Sequence, residues 1–162
     1  MIQDLYCQRL QITMNKLLIF SGLLLVLSGA SIHPYDGEDI VGKWMSTEKN
    51  LEVEVFRVNN EYKATLVWFD DSDDKSDPMS TRCDKKNSRR ELRSRKIIGL
   101  EVMHGLTYNP DDNEWQNGWI YDSSTGKIWN AKAWLTKDGL LKVRGYWHFE
   151  FLGRNMSFNK VI

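Results

Sequence analysis

Beyond its opening segment, this chain is a series of short runs rich in Val, Ile, Trp, Tyr and Phe, separated by polar turn residues. In Leu51–Val58, Leu51, Val53 and Val55 alternate with Glu52 and Glu54, the pattern of a half-buried strand. The same reading predicts strands over Ile40–Ser46, Tyr62–Phe69, Ile97–His104, Glu114–Tyr121, Lys127–Leu135, Leu140–His148 and Asn155–Val161. Turn residues punctuate them at Asn59-Asn60, Asn109–Asn113, Ser123–Gly126 and Lys137–Gly139. Asparagine tolerates positive φ, so Asn59-Asn60 predicts a tight hairpin turn. Only Asn87–Arg93 carries a weak helical period. Eight sequential strands with short connections predict an all-β domain built as a single antiparallel up-and-down barrel. Such a barrel removes exposed sheet edges by closing on itself. A two-sheet sandwich fits the same pattern, and pattern alone does not separate the two. An eight-stranded barrel has an interior just wide enough for side chains or one small ligand.

The opening segment breaks this pattern. Leu17–Leu27 is an uninterrupted apolar run, preceded by Lys16 and followed by Ser28-Gly29-Ala30. A basic start, a short apolar stretch and small residues at a cut site predict a secretory signal peptide. The run is well short of the roughly 20 residues of a membrane span. Residues 1–30 are therefore read as an upstream extension plus signal peptide, with translation expected to start at Met14. Residues 31–162 form one barrel domain, periplasmic or secreted after cleavage near Ala30, with no transmembrane anchor left after processing. No cysteine stands directly after the apolar run, where Ser28-Gly29-Ala30-Ser31 follow, which argues against a lipid anchor. Of two cysteines, Cys7 and Cys83, only Cys83 lies in the mature part, so packing alone must hold the fold.

Charge changes the picture little overall and much locally. Lys and Arg total 22, against 22 Asp and Glu, which gives no global attraction to nucleic acid. The segment 70–96 is different. Its first half is rich in carboxylates (Asp70, Asp71, Asp73, Asp74, Asp77), and its second half is basic (Lys85, Lys86, Arg89, Arg90, Arg93, Arg95, Lys96). A connection of this length is usually functional or unstructured. It reads as a self-neutralising loop, as a lid over one barrel mouth, or as a basic face for an anionic ligand or lipid surface. The calcium-loop register fails, because the fifth position from Asp71 is Lys75 and no glycine follows it.

Seven tryptophans, Trp44, Trp68, Trp115, Trp119, Trp129, Trp134 and Trp147, all fall on the predicted strands. Core packing explains such enrichment, since aromatic residues favour strands. An aromatic-lined cavity is the sharper reading. Trp129 and Trp134 have opposite parity on one strand, so some rings must face outward. On the strands Lys127–Leu135 and Leu140–His148, one face collects Trp129, Ala131, Ala133 and Leu135 with Leu141, Val143, Gly145 and Trp147. Small residues between large ones leave room for a ligand or a neighbouring ring.

Several motifs together resemble known proteins. Gly42-Lys43-Trp44 on the first strand is similar to the Gly-x-Trp motif of lipocalins. That resemblance implies a cation across the Trp44 ring, from Arg154 or Lys160. Arg95–Leu100, Trp115–Asp122, Gly126-Lys127, Leu141–Tyr146 and Leu152-Gly153-Arg154 follow in order. This series resembles the exported bacterial family called domain of unknown function 2147, over roughly Asp39 to Val161. The chain departs from many members in carrying Cys83 alone, and Asn87-Ser88 where an Asn-Pro pair is usual. The resemblance implies a calycin-like barrel in the cell envelope, and it implies no activity.

Sites for chemistry are sparse. His33, His104 and His148 stand apart, and no zinc, phosphate-loop or nucleophile-elbow motif is present. We therefore expect no catalytic residue, no metal and no cofactor. The expected function is a non-enzymatic barrel that binds a small apolar or amphipathic molecule in the envelope. Its candidate ligand-binding residues are Trp68, Trp119, Tyr121, Trp129, Arg144, Tyr146 and Arg154, with Gly42 and Trp44 structural. The alternative is an envelope structural or protein-interaction module with a filled core and an outward patch around Trp119, Tyr121 and Trp134. The partners considered are therefore a hydrophobic or amphipathic ligand, an envelope protein, or an anionic lipid surface.

Overall fold

A computed structural model describes residues 37–162. The expected signal peptide, the Met14 start and cleavage near Ala30 lie outside the described residues. Eight strands run in chain order: β1 Gly42–Ser46, β2 Leu51–Val58, β3 Glu61–Phe69, β4 Glu101–Asn109, β5 Glu114–Asp122, β6 Lys127–Leu135, β7 Leu141–Tyr146 and β8 Arg154–Lys160. Each pairs antiparallel with the next, and β8 pairs with β1, so the sheet closes into a barrel. Closure excludes the sandwich. Single-turn 3-10 helices lie at Glu38–Ile40, Arg90–Leu92 and Glu150–Leu152.

The fourth strand differs most from its sequence expectation. Ile97 and Ile98 invite a strand, but Ile97 donates to the Arg82 carbonyl and Leu100 donates back to Ile97 across a turn. Gly99 sits at φ 83° in that turn. The strand begins at Glu101 and continues past His104 because Gly105, at φ 69°, takes a conformation open to glycine without strain. That kink lets both Met103 and Leu106 turn inward. The hairpin turn at Asn59 forms as expected, with φ 57°.

The antiparallel order puts the β2–β3, β4–β5 and β6–β7 turns at one end of the barrel, with the chain leading into β1. This end is closed. Ile40, Trp44, Val55, Tyr62, Leu106, Trp115, Leu141 and Phe158 pack there, essentially without exposure to water. Both buried indoles are satisfied: Trp44 Nε1 donates to the Ile40 carbonyl at 2.7 Å, and Trp115 Nε1 to the Gly37 carbonyl at 3.1 Å. A buried indole N–H without a partner would cost about 1–3 kcal/mol, so these bonds fix where the lead-in segment crosses the barrel. Lys160 Nζ lies 5.4 Å from the Trp44 ring centre, so of the two candidate cations the lysine covers the tryptophan. Gly118 makes the packing possible, since a Cβ there would meet Leu106 Cγ at 2.6 Å.

Candidate functional site

The opposite end carries the β1–β2, β3–β4, β5–β6 and β7–β8 connections. The sheet is incomplete there. β1 is short, and its ladder with β8 stops at Ser46 opposite Phe158. Arg154–Met156 therefore pair with β7 alone. Cross-strand partners share a face, so Arg154 opposite Gly145 and Met156 opposite Val143 both look into the barrel. Ile120 opposite Trp129, and Ala131 opposite Gly145, extend the same inner face across β5, β6 and β7. Met156 nevertheless remains 40% exposed, while Phe158 one step deeper is buried. An inward apolar side chain that stays wet marks an open mouth above a filled floor.

This mouth has a simple composition. Ile120, Trp129 and Met156 supply apolar wall, and Arg154 supplies a charge with no ion-pair partner among the described residues. Gly145 lies beneath Ile120 and Trp129, since a Cβ there would stand 2.9 Å from Ile120 Cδ1. Trp147 meets Trp129 edge-on at 5.9 Å on the rim. The arrangement suits a molecule with an apolar body and an acidic or polar end.

Of the seven residues expected to bind a ligand, the fold brings Trp129 and Arg154 together in the mouth. The other five face outward. Trp68 pairs with Glu52, because a bulge between Glu52 and Val53 shifts the β2–β3 register and reverses its parity relative to Leu66. Trp119 stacks on His104 on the outer wall, with ring centres 4.4 Å apart. Arg144 donates to the Glu150 carbonyl and the Asn155 amide oxygen, both at 2.7 Å. Tyr146 lies opposite Asn130 on the same outer face. Arg144 also borders an open outer groove of about 620 Å³ with Trp134 and Lys132. Lys132 bridges Glu150 at 2.9 Å and Glu114 at 3.2 Å. The Glu150 carboxylate foremost, and that of Glu114, hold its ammonium above the ordinary lysine range, against the opposing effect of burial.

Tyr121 has a different role from the one expected. Its hydroxyl donates to the Asp84 carboxylate at 2.7 Å and accepts from the Asn87 amide at 2.9 Å. Asp84 is fully buried and also receives Arg95, through Nε at 3.1 Å and Nη2 at 2.9 Å. Burial pushes the Tyr121 hydroxyl above the ordinary tyrosine range, and the Asp84 carboxylate adds to the rise. These contacts pin the 70–96 connection to the barrel beside the β5–β6 turn. In its acidic half, Arg82 bonds the Asp73 carboxylate and the carbonyls of Asp77 and Asp74, while Lys85 bonds Asp77. The opposite charges of the connection thus meet each other within it. The sequence marked its composition but not Asp84, which no local pattern distinguishes from its solvated neighbours. Among the described residues, no three His, Cys, Asp or Glu side chains converge to hold a metal.

A closed antiparallel barrel of eight strands, with Gly42-x-Trp44 and a covering cation at its sealed end, defines a lipocalin-like protein. The chain belongs to the family of uncharacterized proteins conserved in bacteria known as domain of unknown function 2147, whose model matches residues 42–160. A solved structure of similar fold is a protein from the human pathogen Helicobacter pylori that belongs to the lipocalin family. It is 20% identical, with a TM-score of 0.64 over 75% of this chain and 82% of that one. No curated protein matches by sequence.

Proposed function

We propose that this protein is a non-enzymatic carrier or receptor that takes a small apolar or amphipathic molecule into the open mouth of its barrel, in the periplasm or outside the cell. The observation that supports the reading is the inward-facing, water-exposed Met156 beside Arg154, which has no ion-pair partner among the described residues, above a floor of packed side chains. Arg154 holds the polar end of the ligand, while Ile120, Trp129 and Met156 hold its body. Export rests on the apolar run at Leu17–Leu27 and the small residues after it.

Tryptophan fluorescence titrated with a medium-chain fatty acid, its methyl ester and its alcohol tests this reading. A saturable change is expected, strongest for the acid. Arg154→Ala should weaken the acid by about tenfold, the loss of one charge-assisted contact, and leave the ester within twofold. Met156→Trp should block all three by filling the mouth. Saturable binding untouched by both substitutions, or none for any compound, would refute it.

A further inference from the structure

The loop between β7 and β8 turns apolar side chains into water. Trp147 is 58% exposed, Phe149 60%, Phe151 76% and Leu152 71%. Four large apolar groups thus lie bare within six consecutive residues, on a soluble surface where such groups normally occur singly. Exposure is greatest at Phe151 and Leu152, in the short 3-10 turn at Glu150–Leu152, and Trp147 stands at the neck against Trp129. The interposed acid, Glu150, is held by Lys132 at 2.9 Å.

Charge on the same barrel end is unevenly satisfied. Exposed Lys86, Arg90, Lys127 and Arg154 have no ion-pair partner among the described residues. Most acids around them are taken: Asp84 by Arg95, Glu91 by Arg89, Asp77 by Lys85 and Asp73 by Arg82. Asp122 is capped by the hydroxyls of Ser124 and Thr125. Lys86 and Lys127 flank the β5–β6 turn, where the Lys86 carbonyl lies against Gly126. Apolar tips beside uncompensated cations are complementary to one kind of surface, an apolar layer under anionic headgroups. A loop this narrow offers little area to a folded protein partner, whereas a bilayer buries each protruding side chain without shape complementarity.

We propose that Trp147, Phe149, Phe151 and Leu152 form a docking tip that enters the headgroup–acyl boundary of an anionic membrane, with Lys86, Arg90 and Lys127 against the headgroups. Docked in this way, the barrel mouth faces the lipid. The inference does not depend on a ligand entering the barrel.

Sedimentation with vesicles of phosphatidylcholine alone, or mixed with phosphatidylglycerol, tests it on the purified protein. Binding is expected on the mixed vesicles, and it should weaken as salt rises. Phe151→Ala and Leu152→Ala should each lower partitioning by about tenfold, the effect of withholding one large side chain from an apolar phase. The triple variant with Phe149→Ala as well should not bind. All three positions are exposed, so an unchanged thermal midpoint and circular dichroism spectrum show that these variants still fold. Lys86→Gln and Lys127→Gln should each cost about fivefold on mixed vesicles at low salt, from roughly 1 kcal/mol per cation, and nothing on neutral ones. Brominated acyl chains should quench wild-type fluorescence, and Trp147→Phe should remove most of that quenching. Met156→Trp, which blocks the mouth, should leave vesicle binding intact, which separates this result from failure of ligand binding. No binding to mixed vesicles, binding unchanged in the triple variant, or a loop-dependent dimer that ignores vesicles would overturn the proposal.

Discussion

Replacing Asp84 with alanine should detach the 70–96 connection from the barrel, and the structure sets the scale. The buried carboxylate accepts two bonds from Arg95, one from the Tyr121 hydroxyl and one from the Asn87 amide. Breaking a buried ion pair from one side typically costs about 3–5 kcal/mol, because the remaining charge loses its partner without regaining water. Here the Arg95 side chain is 37% exposed, so solvent recovers part of its charge and moves the expectation to the bottom of that range. The Asn87 Nδ2 stays buried and keeps one of its two bonds, to Tyr121, which adds a smaller term. We expect Asp84→Ala to lose about 3 kcal/mol in urea unfolding followed by tryptophan fluorescence. Asp84→Asn keeps the shape and some of the bonds, so it should lose about half as much. Proteolysis should cut first within 70–96 in the alanine variant. Asp84→Ala and Arg95→Ala share one interaction, so together they should cost clearly less than the sum of the two alone. Strictly additive losses, or an alanine variant within 0.5 kcal/mol of wild type, would refute this account.

Tyr121 carries the matching pH dependence. Its folded pKa is raised by burial and by Asp84, so its contribution is complete below the unfolded value near 10. That contribution is lost as pH rises from there through the folded value, because the unfolded chain releases the proton first. The stability difference between wild type and Tyr121→Phe, measured by urea unfolding, should therefore be flat from pH 7 to 9 and shift against wild type above about 10; a slope already present at pH 7–8 would contradict the assignment. Two turn glycines give a paired test. Gly126 and Gly139 both have positive φ, 74° and 79°, but a Cβ on Gly126 would stand 1.9 Å from the Lys86 carbonyl oxygen, while nothing lies within 4 Å of one on Gly139. Gly139→Ala should cost about 1 kcal/mol for conformation alone, and Gly126→Ala at least twice that in the same assay; equal costs would show that the connection does not press on the turn.

The strands were legible because alternation and turn chemistry are local. Leu51–Val58 and Asn59-Asn60 read as a strand and a turn on their own residues, and the structure gives them the same bounds. Lys160 across Trp44 was reachable only through the family motif, since the two residues are far apart in sequence. The Ile97–His104 expectation failed at its first four residues, where a local rule met a distant constraint. Ile97 is bonded to Arg82 in the connection, and that contact ends the extended run before β4 begins. Asp84 is the clearest case of illegibility. It lies in a charged stretch with only Cys83 breaking the run of polar neighbours, and its burial is made by Tyr121 from β5 and by Arg95.

The direction of the aromatic side chains fails for a related reason, and that failure narrows the site. Parity along a strand assigns faces only while the ladder is regular. The bulge beside Val53 sends Trp68 outward, and the β5 ladder is interrupted between Trp115 and Gly118, where Asn117 takes φ 65°. After that irregularity Gly118 and Ile120 face in, and Trp119 and Tyr121 face out. β6, β7 and the upper part of β8 pair without interruption, so there parity holds. The face predicted from Trp129 through Val143 to Gly145 is the face observed. The two candidates that face inward, Trp129 and Arg154, therefore come from the regular part of the sheet, and Arg154 lies where β8 runs past β1 and leaves the wall open. Regular pairing fixes the direction of these two side chains, and the missing β1 partner leaves the β8 edge at Arg154 accessible.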